Sequence, residues 1–205
     1  MQLTKGTPER ILEIGCATGQ TLAYYKSRGA KFTAGVELVP EVALLAKARP
    51  EVDEVIIGNI EALELPYALG SFDLLIVSHV LEHVTDPWKV LARLVPLLRP
   101  GGQLIGSLPN VRCLSVTVPL LFRGRWDYRE EGILDWTHYR FFTRHSIHAL
   151  LKGADLDVEQ IEGEVHPRGK LALINRLSFG LMTDLCAYTY NFSANRPLLV
   201  SAKGD

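Results

Sequence analysis

Short apolar runs alternate with helical stretches through the first hundred residues, and that alternation leaves few folds open. Residues 10–14 form an apolar run, a turn containing Gly15 and Gly19 follows, and residues 21–28 continue with helical spacing up to Gly29. Residues 32–37 read as a second strand, 40–48 as a helix with proline at its start, and 52–57 as a third strand. Residues 72–78 are almost continuously apolar, which marks a strand covered on both faces of a parallel sheet. Asp86-Pro87 starts a helix carrying Val90, Leu91, Leu94, Leu97 and Leu98 on one side; Pro96 interrupts it, and it ends before Pro100-Gly101-Gly102. Residues 103–108 give a fifth strand. The pattern specifies a doubly wound, mostly parallel α/β sheet, in which a ligand sits at the carboxyl ends of the strands where their order reverses.

Beyond Pro109 the periodicity is lost. Residues 110–142 contain Trp126, Tyr128, Trp136, Tyr139, Phe141 and Phe142 and read as an aromatic-rich insertion after strand five; a connection of this length is usually functional. Thr143 caps a helix ending at Gly153, residues 157–162 form a strand, and residues 197–202 a final one. Residues 171–192 are apolar but interrupted by Asn175, Arg176 and Asp184, so they read as a soluble or interfacial helix rather than a membrane span, which needs about 20 apolar residues. In this helix Leu173, Leu177, Leu181 and Leu185 are core, or the surface of a homodimer. The whole chain, 1–205, is then one domain: a nucleotide-binding half (1–109), an acceptor-side insertion (110–142) and C-terminal helices and strands (143–205).

Charge and cysteine content narrow the partners. With 22 Lys+Arg against 23 Asp+Glu, the net charge of −1 excludes a broadly basic nucleic-acid face. Cys16, Cys113 and Cys186 are odd in number and have no metal-ligand spacing, and the first ten residues lack the apolar core of a secretion signal, so the expected setting is cytoplasmic.

The turn after the first strand holds the first chemical signal. A nicotinamide fingerprint needs glycines at 15, 17 and 20, whereas the chain has Gly15, Ala17 and Gln20, with Gly19 out of step. What remains is a small-residue turn against which a ligand can lie. Glu37 closes the second strand, where a carboxylate accepts both hydroxyls of a ribose; its plain alternative is a solvated strand-end acid. Asn59 and Ile60 follow the third strand, placed to read an adenine edge through an amide oxygen and a backbone N–H.

The segments ILEIGCATG (11–19), GVEL (35–38), GNIEAL (58–63), SFDLLIVSHVLEHV (71–84) and LRPGG (98–102), in that order, resemble class I S-adenosylmethionine-dependent methyltransferases. The resemblance implies a seven-stranded Rossmann-like sheet and S-adenosylmethionine as cofactor. It implies that Glu13 and the backbone of Gly15, Cys16, Ala17, Thr18 and Gly19 hold the methionine end. Glu37 would take the ribose, Asn59 and Ile60 the adenine, and Ser78 and His79 the methyl-bearing face, with Gln20, Leu38 and Glu61 also among the cofactor-binding residues. GRWDYREEGILDWTHYRFFT (124–143) further resembles a bacterial subfamily associated with surface-polysaccharide synthesis, which implies a small, sugar-bearing or lipid-linked acceptor. The chain departs from the family in having Ala17 for a usual Gly and Asn59 for a commoner Asp. About ten residues precede the first strand, so the helix that often lids the cofactor is expected to be short or absent.

Methyl transfer to a hydroxyl needs alignment and a base, and an imidazole suits the latter. His79 lies at the end of strand four, and His138 sits in the insertion with Asp135 placed to orient it. His79-Val80-Leu81-Glu82-His83 spells an inverted zinc-peptidase pattern, but that pattern works on a helix, and here it follows a strand; no metal is expected, and Glu82 and His83 read as packing and capping residues. Arg123, Arg125, Arg129 and Arg140, among the aromatic rings, suit a phosphate- or sugar-bearing acceptor, or pair with Glu130, Glu131 and Asp135. The leading expectation is O-methylation of a small or glycan-type acceptor. The alternatives are a non-catalytic cofactor-binding partner module of the same fold and a nicotinamide oxidoreductase.

Overall fold

A computed structural model describes residues 4 and 6–198 of the chain. Seven strands, β1 (Arg10–Ile14), β2 (Phe32–Glu37), β3 (Glu54–Ile57), β4 (Phe72–Ser78), β5 (Leu98–Pro109), β6 (Asp157–Glu164) and β7 (Thr189–Asn195), form one sheet in the order β3-β2-β1-β4-β5-β7-β6. β7 alone runs against its neighbours, so six of the seven strands point the same way. The doubly wound fold and its strand number match expectation.

Helices cover both faces because successive strand residues point to opposite sides. Ile11, Leu74, Ile76 and Ile105 face one way and pack with Leu22 and Tyr25 of α1 (Gln20–Ser27) and Ala43 and Ala46 of α2 (Pro40–Lys47). Leu12, Leu75, Val77 and Leu104 face the other way. They meet Val90, Leu91 and Leu94 of α3 (Pro87–Leu94), and Ile147, Leu150 and Leu151 of α5 (Arg144–Gly153), which follows α4 (Leu114–Arg123). The caps are those the sequence specifies. The Asp86 side chain accepts from Lys89 N–H, and Thr143 and Ser146 form a reciprocal capping box.

Several elements differ from expectation. Pro100-Gly101-Gly102 lies within β5, which begins at Leu98 by pairing with Phe72 and resumes at Gln103 after a register shift. The insertion contains α4, concealed because Pro119 sits inside it and only Val116 of its residues is buried. The apolar stretch 171–192 is two short helices, α6 (Lys170–Leu177) and α7 (Thr183–Cys186), separated by Phe179 and Gly180 at positive φ, and then β7. Leu173, Leu177 and Leu181 are exposed, not core. Alternation decides β7: Tyr190, Phe192 and Ala194 are all fully buried. In the expected final strand, residues 197 and 198 are not in a strand, and 199–202 lie outside the described residues.

Candidate active site

Strand order reverses between β1 and β4, and there, at the carboxyl ends of β1 to β4, a cleft of about 720 Å³ opens. Gly15 borders it. A Cβ at this position would stand 2.8 Å from Val80 Cγ2, and φ is +69°, so the turn demands glycine and leaves bare backbone beside the cleft. The turn closes on its neighbour: Gly15 N–H and Cys16 N–H both donate to the Val36 carbonyl, at 2.8 and 3.1 Å. Ala17 occupies the left-handed region at φ +46°, and its N–H donates to Glu37 Oε2 at 2.9 Å. Val39 N–H donates to Oε1 of the same carboxylate, also at 2.9 Å. A carboxylate accepts about four hydrogen bonds, so Glu37 is fixed by two backbone amides with capacity for two more.

Glu13, one strand away, is buried, and its Oε2 has no partner among the described residues. Burial raises its pKa to about 8, opposed by a hydrogen bond from Thr21 and reinforced by the charge of Glu37. Burial, with Glu13 and Glu37 nearby, pushes the Cys16 thiol up to about 12, so this cysteine is no nucleophile.

The adenine-side candidates form the adjoining wall. Asn59 Oδ1 accepts from Glu61 N–H at 2.9 Å, an Asx turn that shapes the loop after β3. Glu61 Oε1 accepts from the Thr85 hydroxyl at 2.6 Å and from Thr85 N–H at 3.0 Å, tying this loop to the one after β4. Those contacts, the hydroxyl foremost, hold the carboxyl below its usual range.

The residues from His79 to His83 form a turn, not a helix, so the helical zinc-peptidase geometry is absent. His79 borders the cleft at φ +53°, a conformation unusual for a side-chain-bearing residue and common at functional sites. Its Nδ1 lies 3.0 Å from Oε1 of the fully buried Glu82. The Glu82 carbonyl accepts from Tyr139 N–H at 2.8 Å and Arg140 N–H at 3.1 Å, which docks the insertion onto this turn. His83 Nδ1 faces the Thr137 carbonyl at 3.2 Å and its hydroxyl at 3.0 Å.

His138 does not border the cleft. Its Nδ1 faces the Ile133 carbonyl at 3.0 Å, and its ring meets that of His83 edge-on, centroids 4.7 Å apart. The expected Asp135–His138 pairing is replaced. Asp135 Oδ1 accepts from Thr137 N–H at 2.7 Å and from its hydroxyl at 2.6 Å, because an Asx turn brings the carboxylate over the residue two positions on. Two of the four arginines are committed elsewhere than expected: Arg140 donates to the Thr85 carbonyl and Arg125 pairs with Asp127.

Of the residues singled out from sequence, Gly15, Glu37, Leu38, Asn59, Ile60, Glu61 and His79 meet around one cleft. Glu13, Cys16, Ala17, Thr18, Gly19, Gln20, Ser78 and His138 stand outside its wall. Tyr139, one of the rings expected on the acceptor side, also borders it, as do Val39, Gly58, Val80, Thr85 and Thr137, which were not singled out. Position just after a strand end would have found the first three of these; Thr137 arrives from the insertion, whose docking no local pattern announces.

A family model described as a methyltransferase domain matches residues 2–161. A ubiquinone biosynthesis O-methyltransferase of Xanthomonas oryzae is 28% identical over 77% of this chain and 66% of its own length. One of Cereibacter sphaeroides is 31% identical over 76% of this chain and 63% of its own. The chain thus spans about two-thirds of the length of these curated relatives. Among solved structures, an S-adenosylmethionine dependent methyltransferase of Mesorhizobium loti superposes with a TM-score of 0.65 at 19% identity, over 93% of this chain and 92% of that one.

Proposed function

The chain belongs to the methyltransferase domain family, and from that premise we propose that it transfers a methyl group from S-adenosylmethionine to an oxygen of a small or glycan-type acceptor. The observation that carries this reading is the cleft at the strand-order reversal, bordered by a bare Gly15 and an anchored Glu37. These residues fit the cofactor. Glu37 retains acceptor capacity for two ribose hydroxyls, and Gly15 leaves room for backbone contact. When bound, S-adenosylmethionine supplies an electrophilic methyl group.

The protein's part is alignment, exclusion of water and removal of a proton. Glu82 holds His79 by Nδ1, which leaves Nε2 free to take an acceptor hydroxyl's proton at the cleft. Oxygen as the methylated atom is supported by the O-methyltransferase names of the relatives. The exposed, stacked Tyr128–Trp136 pair offers a flat face for a sugar ring, in keeping with an acceptor of the surface-polysaccharide kind.

Titration calorimetry with S-adenosylhomocysteine is expected to give saturable one-to-one binding, and absence of binding at millimolar ligand refutes the reading. His79→Ala is expected to lower turnover by about 100-fold or more while leaving cofactor affinity nearly unchanged, measured by product formation against the same titration.

A further inference from the structure

Beside the cleft, Glu82, His83 and His138 each place one potential ligand atom within 4.8 Å of the others. We propose that these three residues form a binding site for a divalent first-row transition cation of the zinc class.

Three independent features support it. Both imidazoles have their tautomers set from behind. His83 Nδ1 faces the Thr137 carbonyl and hydroxyl, and His138 Nδ1 faces the Ile133 carbonyl. Each ring therefore donates from Nδ1 and keeps its lone pair on Nε2, the pattern that orients metal-ligating histidines. The Thr137 hydroxyl donates onward to Asp135, so it is an acceptor toward His83, and the backing of that ring is complete. The third group is a carboxylate with no exposed surface, whose Oε1 is held by His79 and whose Oε2 has no hydrogen-bond partner among the described residues. A fully buried carboxylate oxygen left unpartnered is costly, and a cation resolves that cost.

Two nitrogens and one oxygen suit zinc or its neighbours rather than magnesium or calcium, which prefer all-oxygen shells. Three protein ligands leave a coordination position open, as in sites that bind a reacting molecule. His83 and Thr137 border the cleft, so that position adjoins the acceptor side. The cation would fix an acceptor oxygen there; this role rests on the methyl-transfer reading, whereas the binding of metal does not.

The test is a titration of the purified, metal-stripped full chain with Zn²⁺, and separately with Co²⁺ followed by visible absorption. S-adenosylhomocysteine binding is measured on the same samples. One Zn²⁺ per chain is expected, with intense Co²⁺ bands of a low-coordinate site. His138→Ala is expected to weaken Zn²⁺ by at least about 100-fold, since even second-layer partners of metal ligands contribute 10–100-fold. His138 lies outside the cleft wall, so cofactor affinity should stay within about twofold, which also certifies the fold. Absence of saturable Zn²⁺ binding by the unaltered chain overturns the proposal, as do weak Co²⁺ bands of an all-water octahedral ion. Affinity unchanged in both His83→Ala and His138→Ala overturns it too. Loss of S-adenosylhomocysteine binding with Zn²⁺ binding intact would refute the methyl-transfer reading alone.

Discussion

Two carboxylates on adjacent strands behave differently because their surroundings differ. Glu37 is held by two backbone amides, whereas Glu13 is buried with one oxygen unpartnered. Glu37→Ala removes the acceptor for Ala17 and Val39 as well as the ribose partner. Its expected cost in S-adenosylhomocysteine binding is about 1–3 kcal/mol, read by calorimetry. Glu13 has a folded pKa of about 8, above its value of 4.5 elsewhere, so the folded protein binds a proton that the unfolded chain releases. Its contribution to stability is fully present below about 4.5 and is lost as pH rises toward about 8. Denaturant melts of the ligand-free protein between those pH values should show this decline, and Glu13→Gln should flatten it.

Elements with a local punctuation mark were legible, and elements defined by distant partners were not. The Asp86-Pro87 start of α3, the Pro96 break and the Thr143 cap of α5 each rest on a residue whose conformation or hydrogen bond acts within one turn. Thr143→Ala should therefore cost about 1 kcal/mol, which for a chain of this size lowers the melting temperature by about 2–4 °C in a thermal scan. By contrast, β5 begins at Leu98 only because Phe72 is there to pair with it, and β7 overrides a helical-looking stretch through its place between β5 and β6. The candidate site divides the same way. Gly15, Glu37 and Asn59 sit at or just past strand ends and were found by spacing, whereas the contacts of the Glu82 carbonyl with Tyr139 and Arg140 depend on the insertion folding back across more than 50 residues. Asp135 was assigned to His138 by proximity in sequence, and the backbone turn gave it to Thr137 instead.

Across the whole molecule, the C-terminal strands are one structure with the first five. Phe192 and Tyr190 of β7 lie in the same buried cluster as Leu12 of β1 and Leu75 of β4. Phe192→Ala should therefore destabilise the protein by about 3–5 kcal/mol. The loss is expected to appear in chemical denaturation as a single transition in which cofactor binding and helix signal disappear together; separate transitions would show that the two parts unfold independently.

The placing of β7 between β5 and β6 also sets an order of events during synthesis. Strands β1 to β5 can assemble as soon as they leave the ribosome, but β6 emerges before β7, the strand it pairs with among the described residues. Until β7 arrives, one border of the growing sheet offers free backbone groups along β5, and β6 waits without a template. That interval is when the nascent chain is most open to wrong strand partners, and it is governed by the speed of translation through residues 165–195.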